Sequence, residues 1–277
     1  MKLSNKIAVI TGGGRGFGKA IALAYAHEGA DLVLAARTQE QVESVAKEIR
    51  SLGRKAISIK CDVSSWDDVQ YMVEQVLANF GRIDVLVNNA GRMPPFGPLI
   101  ESEPNQWLET VAINLGGVYL CSRAVAPVMK RQGFGKIINI SGGGATTGTP
   151  NSSAYGASKA AVVRLTETLA GELRDANVQV NAIAPGAIYT ELTEDILRAG
   201  SAVGEKLRAE ALRVREARTT PKEGTELAVF LGSDDSINLT GRLIAALWDD
   251  WRDFSQQRLQ QIDSTDWYQL RRVVPPS

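Results

Sequence analysis

The stretch Ile7-Ala8-Val9-Ile10-Thr11-Gly12-Gly13-Gly14-Arg15-Gly16-Phe17-Gly18 decides the fold. A short β-rich run closes on a glycine turn, and the helical pattern Lys19 to Glu28 follows. Strand, glycine turn and helix in that order make a phosphate site. Glycine lets the backbone approach a pyrophosphate, and the free N–H groups at the helix start favour an anion. The spacing Gly12-x-x-x-Gly16-x-Gly18 departs from G-x-G-x-x-G, because Phe17 stands where that pattern has its last glycine. Gly12, Gly14, Arg15, Gly16, Phe17 and Gly18 are read together as the cradle of a dinucleotide.

Outward from this stretch the pattern repeats. Strands are expected at Asp31 to Ala36, Lys55 to Cys61, Ile83 to Val87, Lys136 to Ile140, Val178 to Ala184 and Leu243 to Leu247. Helices are expected at Gln39 to Leu52, Ser65 to Phe80, Pro104 to Gln132 and Ser153 to Leu173. Near-continuous apolar strands between amphipathic helices indicate a parallel sheet covered on both faces. Right-handed crossovers make it a Rossmann-type doubly wound α/β fold. We read one catalytic domain over residues 1–248 and an aromatic-rich C-terminal extension over 249–277. Ligands in such sheets sit beyond the carboxyl ends of the strands, so Asn89, Ala90 and Gly91 line the crevice. Asp62 and Val63 are candidate adenine contacts, although Asp62 equally suits a cap for the helix from Ser65.

The second strand ends at Ala36-Arg37, where an acidic residue would bind the 2′-hydroxyl of NAD and a basic one would accept a 2′-phosphate. Ala36 is neutral and Arg37 cationic, and Arg15 is able to close on the same phosphate. The expected cofactor is therefore NADP(H).

Tyr155 and Lys159 lie four apart in Ser152-Ser153-Ala154-Tyr155-Gly156-Ala157-Ser158-Lys159 and so share a helix face. An ammonium there favours phenolate, and each pH unit of lowering takes about 1.4 kcal/mol, so proton transfer near neutral pH is expected from this pair. Asn114, an amide among aliphatics inside the Pro104 helix, is expected to satisfy backbone or water at a helix distortion. Met93-Pro94-Pro95-Phe96-Gly97-Pro98 reads as a pocket-side loop.

Lys+Arg and Asp+Glu both number 31, so no basic field exists to draw nucleic acid or anionic lipid. Cys61 and Cys121 are the only cysteines and lack metal-ligand spacing, which fits a reducing cytosol; no metal is expected. His27 is the only histidine and falls at a helix end, so Ser-His-Asp and Cys-His chemistry is excluded. No stretch was read as a signal peptide or membrane span, and the chain is expected to be cytoplasmic.

Together these motifs resemble the classical short-chain dehydrogenase/reductase family over about Leu3 to Leu247. The glycine turn resembles its cofactor motif, Asn88-Asn89-Ala90-Gly91 its structural motif, and Pro185, Gly186, Ile188 and Thr190 its nicotinamide-side turn. The resemblance implies that Tyr155 moves the proton, that Lys159 lowers its pKa and holds the nicotinamide ribose, and that Asn114 anchors a water. It implies a small carbonyl or alcohol substrate, a lid over about 191–220, and a homodimer or homotetramer built on the Pro104 and Ser153 helices. Leu192, Ile196, Leu197, Leu207 and Leu212 are the expected inner face of the lid.

Two departures stand out. The family's serine, thirteen residues before the tyrosine, falls here on Gly142. Ser141 swings in, another hydroxyl (Thr146, Thr147 or Ser153) replaces it, or the chain is a weakened NADP-binding protein acting as sensor or assembly partner. A sugar-nucleotide epimerase shares the Tyr and Lys logic but not this glycine spacing. The second departure is the tail from Trp248, with three of the five tryptophans. It is expected to be ordered, either across a subunit boundary, over the cleft, or as a strap on its own subunit.

Overall fold

Residues 1–272 are described by the structure, a computed structural model. Seven strands form one parallel sheet: β1 (Ile7–Thr11), β2 (Asp31–Ala36), β3 (Ala56–Lys60), β4 (Val85–Asn88), β5 (Gly135–Ile140), β6 (Val178–Ala184) and β7 (Leu243–Ala245). Their spatial order is β3-β2-β1-β4-β5-β6-β7. β1, β5 and β6 are buried at every position; β1 runs apolar apart from Thr11, while β5 and β6 also bury Lys136, Asn139, Gln179 and Asn181. The order reverses between β1 and β4, so a crevice opens at their carboxyl ends.

The helices are α1 (Gly16–His27), α2 (Gln39–Ser51), α3 (Trp66–Phe80), α4 (Pro104–Val111), α5 (Gly117–Gln132), α6 (Ser153–Glu172), α7 (Glu191–Arg198), α8 (Glu205–Ala217), α9 (Lys222–Gly232) and α10 (Gln256–Asp263). One face of the sheet packs Ile10, Leu34 and Ile183 against Ile21 of α1 and Phe230 of α9. The other packs Val9, Leu86 and Ile137 against Met72 of α3 and Cys121 and Met129 of α5. Ser65 caps α3 by accepting from Asp68 N at 3.3 Å, so the capping role considered for Asp62 falls to Ser65.

The Pro104–Gln132 helix is not uniform. Ala112–Gly116 form a π-turn between α4 and α5, and Asn114 sits inside it, buried. Among the described residues this is also the one helix long and apolar enough by composition to cross a membrane, contrary to the expectation that none would be. Val118, Cys121, Val125 and Met129 of that stretch are buried, most of them in the core beneath the sheet. The lid also differs from the single patterned stretch expected. It breaks into α7 and α8 at Gly200 and Gly204, with φ of +62° and +79° that favour glycine.

The extension packs as a strap on its own subunit. Trp251 and Phe254 are buried against Phe230, with ring centroids 5.8 and 6.4 Å away, and Tyr268 stacks on Phe254 at 5.6 Å. Leu259 and Ile262 of α10 are fully buried. The strap ends at the free edge of β7, where Leu243 N donates to Tyr268 O at 2.8 Å. Ala245 N, the next outward donor, is taken by Asp249 Oδ2 at 2.6 Å. Arg242 donates to Trp267 O and Ile262 O, and Arg174 pairs with Asp263. The part of the extension over 273–277 lies outside the described residues.

Candidate active site

The glycine turn is shaped by close approach. Gly12 has φ +65°, and a Cβ on Gly18 would stand 2.3 Å from Gly12 O and 2.4 Å from Asn89 Nδ2. Asn89 Nδ2 in turn donates to Thr11 O at 2.9 Å, while the Asn89 and Ala90 N–H groups donate to Thr11 Oγ1 at 3.0 and 3.1 Å. The β4 turn is thus clamped to the β1 turn with no room for a side chain between. Gly14 meets Gln41 in the same way: a Cβ there would stand 2.8 Å from Gln41 Cβ. No side chain caps α1, so its first-turn N–H groups stay open toward the crevice. This cradle fits a dinucleotide pyrophosphate.

Phe17 is placed differently from its glycine neighbours. Its ring is turned inward, buried in the core against Gly224, so it braces α1 and does not face the crevice. Thr190 packs on Gly16 and starts α7 with a capping box. Arg15 pairs with Glu191 at 3.2 Å across the crevice mouth, and Arg37 is exposed past β2. Partial burial works against ionisation of Asp62. Its hydrogen bonds from Ser64 and the charge of Arg37 outweigh that and hold the carboxyl below the usual range. Val63 is buried on Gly117, so it meets α5 rather than standing free.

Tyr155, Lys159 and Asn114 converge. Lys159 is buried, donates from Nζ to Ile140 O at 2.7 Å, and lies 5.7 Å from the centre of the Tyr155 ring. Gly91 is wedged beside both other groups: its Cβ would be 3.1 Å from Asn114 Oδ1 and 3.6 Å from Lys159 Nζ. Asn114 donates to Arg92 O and Ser158 Oγ and accepts from Arg92 N, at 2.8–3.0 Å. It therefore pins the loop after β4 to α6, and the π-turn is what frees it to do so.

The acidity expected of Tyr155 runs the other way in this structure. Burial pushes its phenol up to about 12 and pushes Lys159 down to about 8. The cause in both is loss of water on burial, which disfavours the charged form. Tyr155 is a protonated donor at neutral pH.

Ser141 is not brought to the cleft. It is buried and donates to Lys159 O at 3.2 Å, while Gly142 faces Tyr155. Ser153 accepts from Trp107 Nε1 at 3.0 Å, and Thr146 and Thr147 are exposed. A Cβ on Gly142 would stand 2.6 Å from Tyr155 Oη, so the tyrosine hydroxyl itself fills the space beside that glycine. Pro185 packs near Gly224, and Gly186, with φ +83°, is covered by Leu247, whose Cδ1 would lie 2.4 Å from a Cβ there. Thr11 and Leu247 were not singled out from the sequence. Thr11 was legible as a hydroxyl ending an apolar strand directly before the glycine turn. Leu247 carried no local signal.

Over residues 6–200 the chain matches the family model described as short chain dehydrogenase. The chain belongs to the short-chain dehydrogenase family. Membership makes it an oxidoreductase of the class that uses a nicotinamide dinucleotide. Among its relatives, the 3-oxoacyl-[acyl-carrier-protein] reductase FabG of Thermotoga maritima is 37% identical over 246 residues, 88% of this chain and 97% of that one. NAD+-bound xylitol dehydrogenase superposes with TM-score 0.82 at 32% identity, covering 88% of this chain and 98% of its own. A protein assigned as an NAD(P)-dependent gluconate 5-dehydrogenase from Beutenbergia cavernae, with NADP bound, has TM-score 0.79 at 36% identity, covering 88% and 96%. These family relatives are spanned almost end to end and leave about thirty residues of this chain unmatched, the length of the strap.

Proposed function

We propose that this short-chain dehydrogenase transfers a hydride between NADP(H) and a carbonyl/secondary alcohol pair, with Tyr155 as acid and base. The bound nicotinamide supplies the hydride; the chain supplies the proton and the alignment. The observation that carries the reading is the convergence of Tyr155, Lys159 and Asn114 beside the glycine cradle. The protonated state of Tyr155 suits carbonyl reduction, in which a developing alkoxide takes a proton from the phenol. Lys159 lies behind it and adds positive charge at the alkoxide's side, and Asn114 keeps the loop carrying Gly91 against α6.

Gly12, Gly14, Gly16 and Gly18 would admit the pyrophosphate at the start of α1, with Phe17 bracing that helix from within. Asn89, Ala90 and Gly91 would line the ribose side, Asp62 and Val63 the adenine side, and Pro185, Gly186, Ile188 and Thr190 the nicotinamide side. Arg15 and Arg37 would share a 2′-phosphate, since Ala36 leaves the end of β2 without a carboxylate. Ser141 serves the machinery only through its bond to the Lys159 carbonyl.

The binding-only alternative rested on Gly142. Membership in an oxidoreductase family favours turnover, and the Tyr155 hydroxyl already occupies the ground beside that glycine. The test is NADPH and NADH oxidation with a ketone panel, for the native chain and Tyr155→Phe. A kcat loss of about 1000-fold in the variant, with NADPH preferred to NADH, is expected. Equal turnover in both proteins would overturn the assignment.

A second copy of the chain would assemble on the outward side of α4 and α5. Leu108 of α4 and Tyr119 of α5 are 59% and 50% exposed there, available to such a contact. Cys61 and Cys121 are free and buried, as suits a reducing cytoplasm.

A further inference from the structure

The two solved neighbours named above are polyol and sugar-acid enzymes by name, and FabG is named for an acyl ketone. The surroundings of Tyr155 distinguish between such chemistries. On the lid side, the ring packs into a cluster that includes Met93, Phe96, Leu192, Ile196, Leu197 and Leu207. Leu212, expected among them, is not part of it. Charges near the lid are occupied with one another: Arg92 with Glu109, Arg198 with Asp195, Arg15 with Glu191. On the β5 side the wall is the backbone of Gly142, Gly143 and Gly144, with Ser141 turned back to Lys159 O. The lid and the Met93–Phe96 loop thus turn hydrophobic side chains to the Tyr155 ring, with these three pairs engaged among themselves.

We infer that the substrate presents a single polar atom to this cleft, the reacting oxygen, and that the groups flanking it are apolar. This rests on the hydride-transfer reading. An apolar wall rewards each added methylene and leaves any further hydroxyl without a partner. A polyol or sugar acid would lose its water against Leu192 and Ile196 and gain no bond in return. An alkyl or acyl ketone loses nothing but hydration of the carbonyl, which Tyr155 restores. Any charged remainder of a larger substrate stays outside the lid.

The test compares kcat/KM, followed through cofactor oxidation, for butan-2-one, hexan-2-one and octan-2-one and for erythrulose, the hydroxylated counterpart of butan-2-one. Expected are a rise of about fourfold per methylene until the lid is filled and an erythrulose value about 100-fold below that of butan-2-one. Ile196→Asn, checked for folding by its thermal melt, should narrow the butan-2-one to erythrulose ratio by about tenfold. Turnover that is flat with chain length, or erythrulose equal to butan-2-one, would overturn the inference and leave the hydride-transfer reading intact. Absence of turnover with every ketone and alcohol would overturn that reading, and this inference with it.

Discussion

Replacing Lys136 with Met should stabilise the protein. Lys136 begins β5, is 1% exposed, and its ammonium meets only Ser236 Oγ, at 3.0 Å. Burial is the main cause that lowers its pKa to about 8, partly offset by Asp234 and Asp235 and reinforced by Lys6. From an ordinary 10.5 that is a cost of about 3 kcal/mol for holding the charge at neutral pH. Methionine fills a similar volume. Ser236 loses one partner but keeps its own bonds to Leu231 O and Ser233 O, so no hydroxyl is stranded. The folded pKa lies below the unfolded one, so the unfolded chain holds more proton between about 8 and 10.5. Stability from this group therefore rises with pH through that window, and below it the whole penalty stands. Urea unfolding of native and Lys136→Met protein at pH 7, 8, 9 and 10 measures the difference. The variant should gain about 2–3 kcal/mol at pH 7 and keep little of the gain at pH 10. Buried Cys61, Cys121 and Tyr25, whose pKa values burial raises, bend both curves downward at high pH and cancel in the difference. A gain that is absent at pH 7, or that does not change with pH, would show the reasoning to be wrong.

Three further outcomes are expected. Gly18→Ala forces a Cβ between Gly12 O and Asn89 Nδ2 and should weaken NADPH binding by about 10- to 100-fold in fluorescence titration, whereas Gly143→Ala, with open space around it, should not. Gly142→Ala displaces the Tyr155 hydroxyl by about 1 Å and should lower kcat by about 100-fold while the Kd for cofactor stays within about twofold; an unchanged kcat would mean that the hydroxyl's position is not critical. Phe254→Ala empties the space between Phe230 and Tyr268 and should cost about 3–4 kcal/mol in urea unfolding, with a loss under about 1 kcal/mol showing that the strap contributes little.

The sheet was legible because strands buried on both faces leave short, mostly apolar and β-branched runs between amphipathic helices, and Val178–Ala184 was read to the residue. Asn114 announced a distortion of its helix, since an amide among aliphatics needs partners. That the distortion is a π-turn gripping Arg92 depends on contacts 22 residues away. Tyr155 and Lys159 were legible as a pair by spacing. The direction of their pKa shifts was not, because it follows from how much water the fold removes around them. That Ser141 donates to the Lys159 carbonyl likewise depends on a contact 18 residues away, which its spacing did not name. The tail's tryptophans implied order, but nothing in their spacing names the surface they cover.

That surface has a consequence for how the protein is made. The last strand of the sheet receives its outer partner from Tyr268, close to the end of the described chain. Synthesis runs from the N-terminus, so β7 emerges from the ribosome with its outward N–H groups bare. That of Ala245 meets Asp249 four residues on, but that of Leu243 stays bare until the strap has followed it. Its open rim is then at its most adhesive toward neighbouring nascent chains. A truncation ahead of Tyr268 would make that exposure permanent.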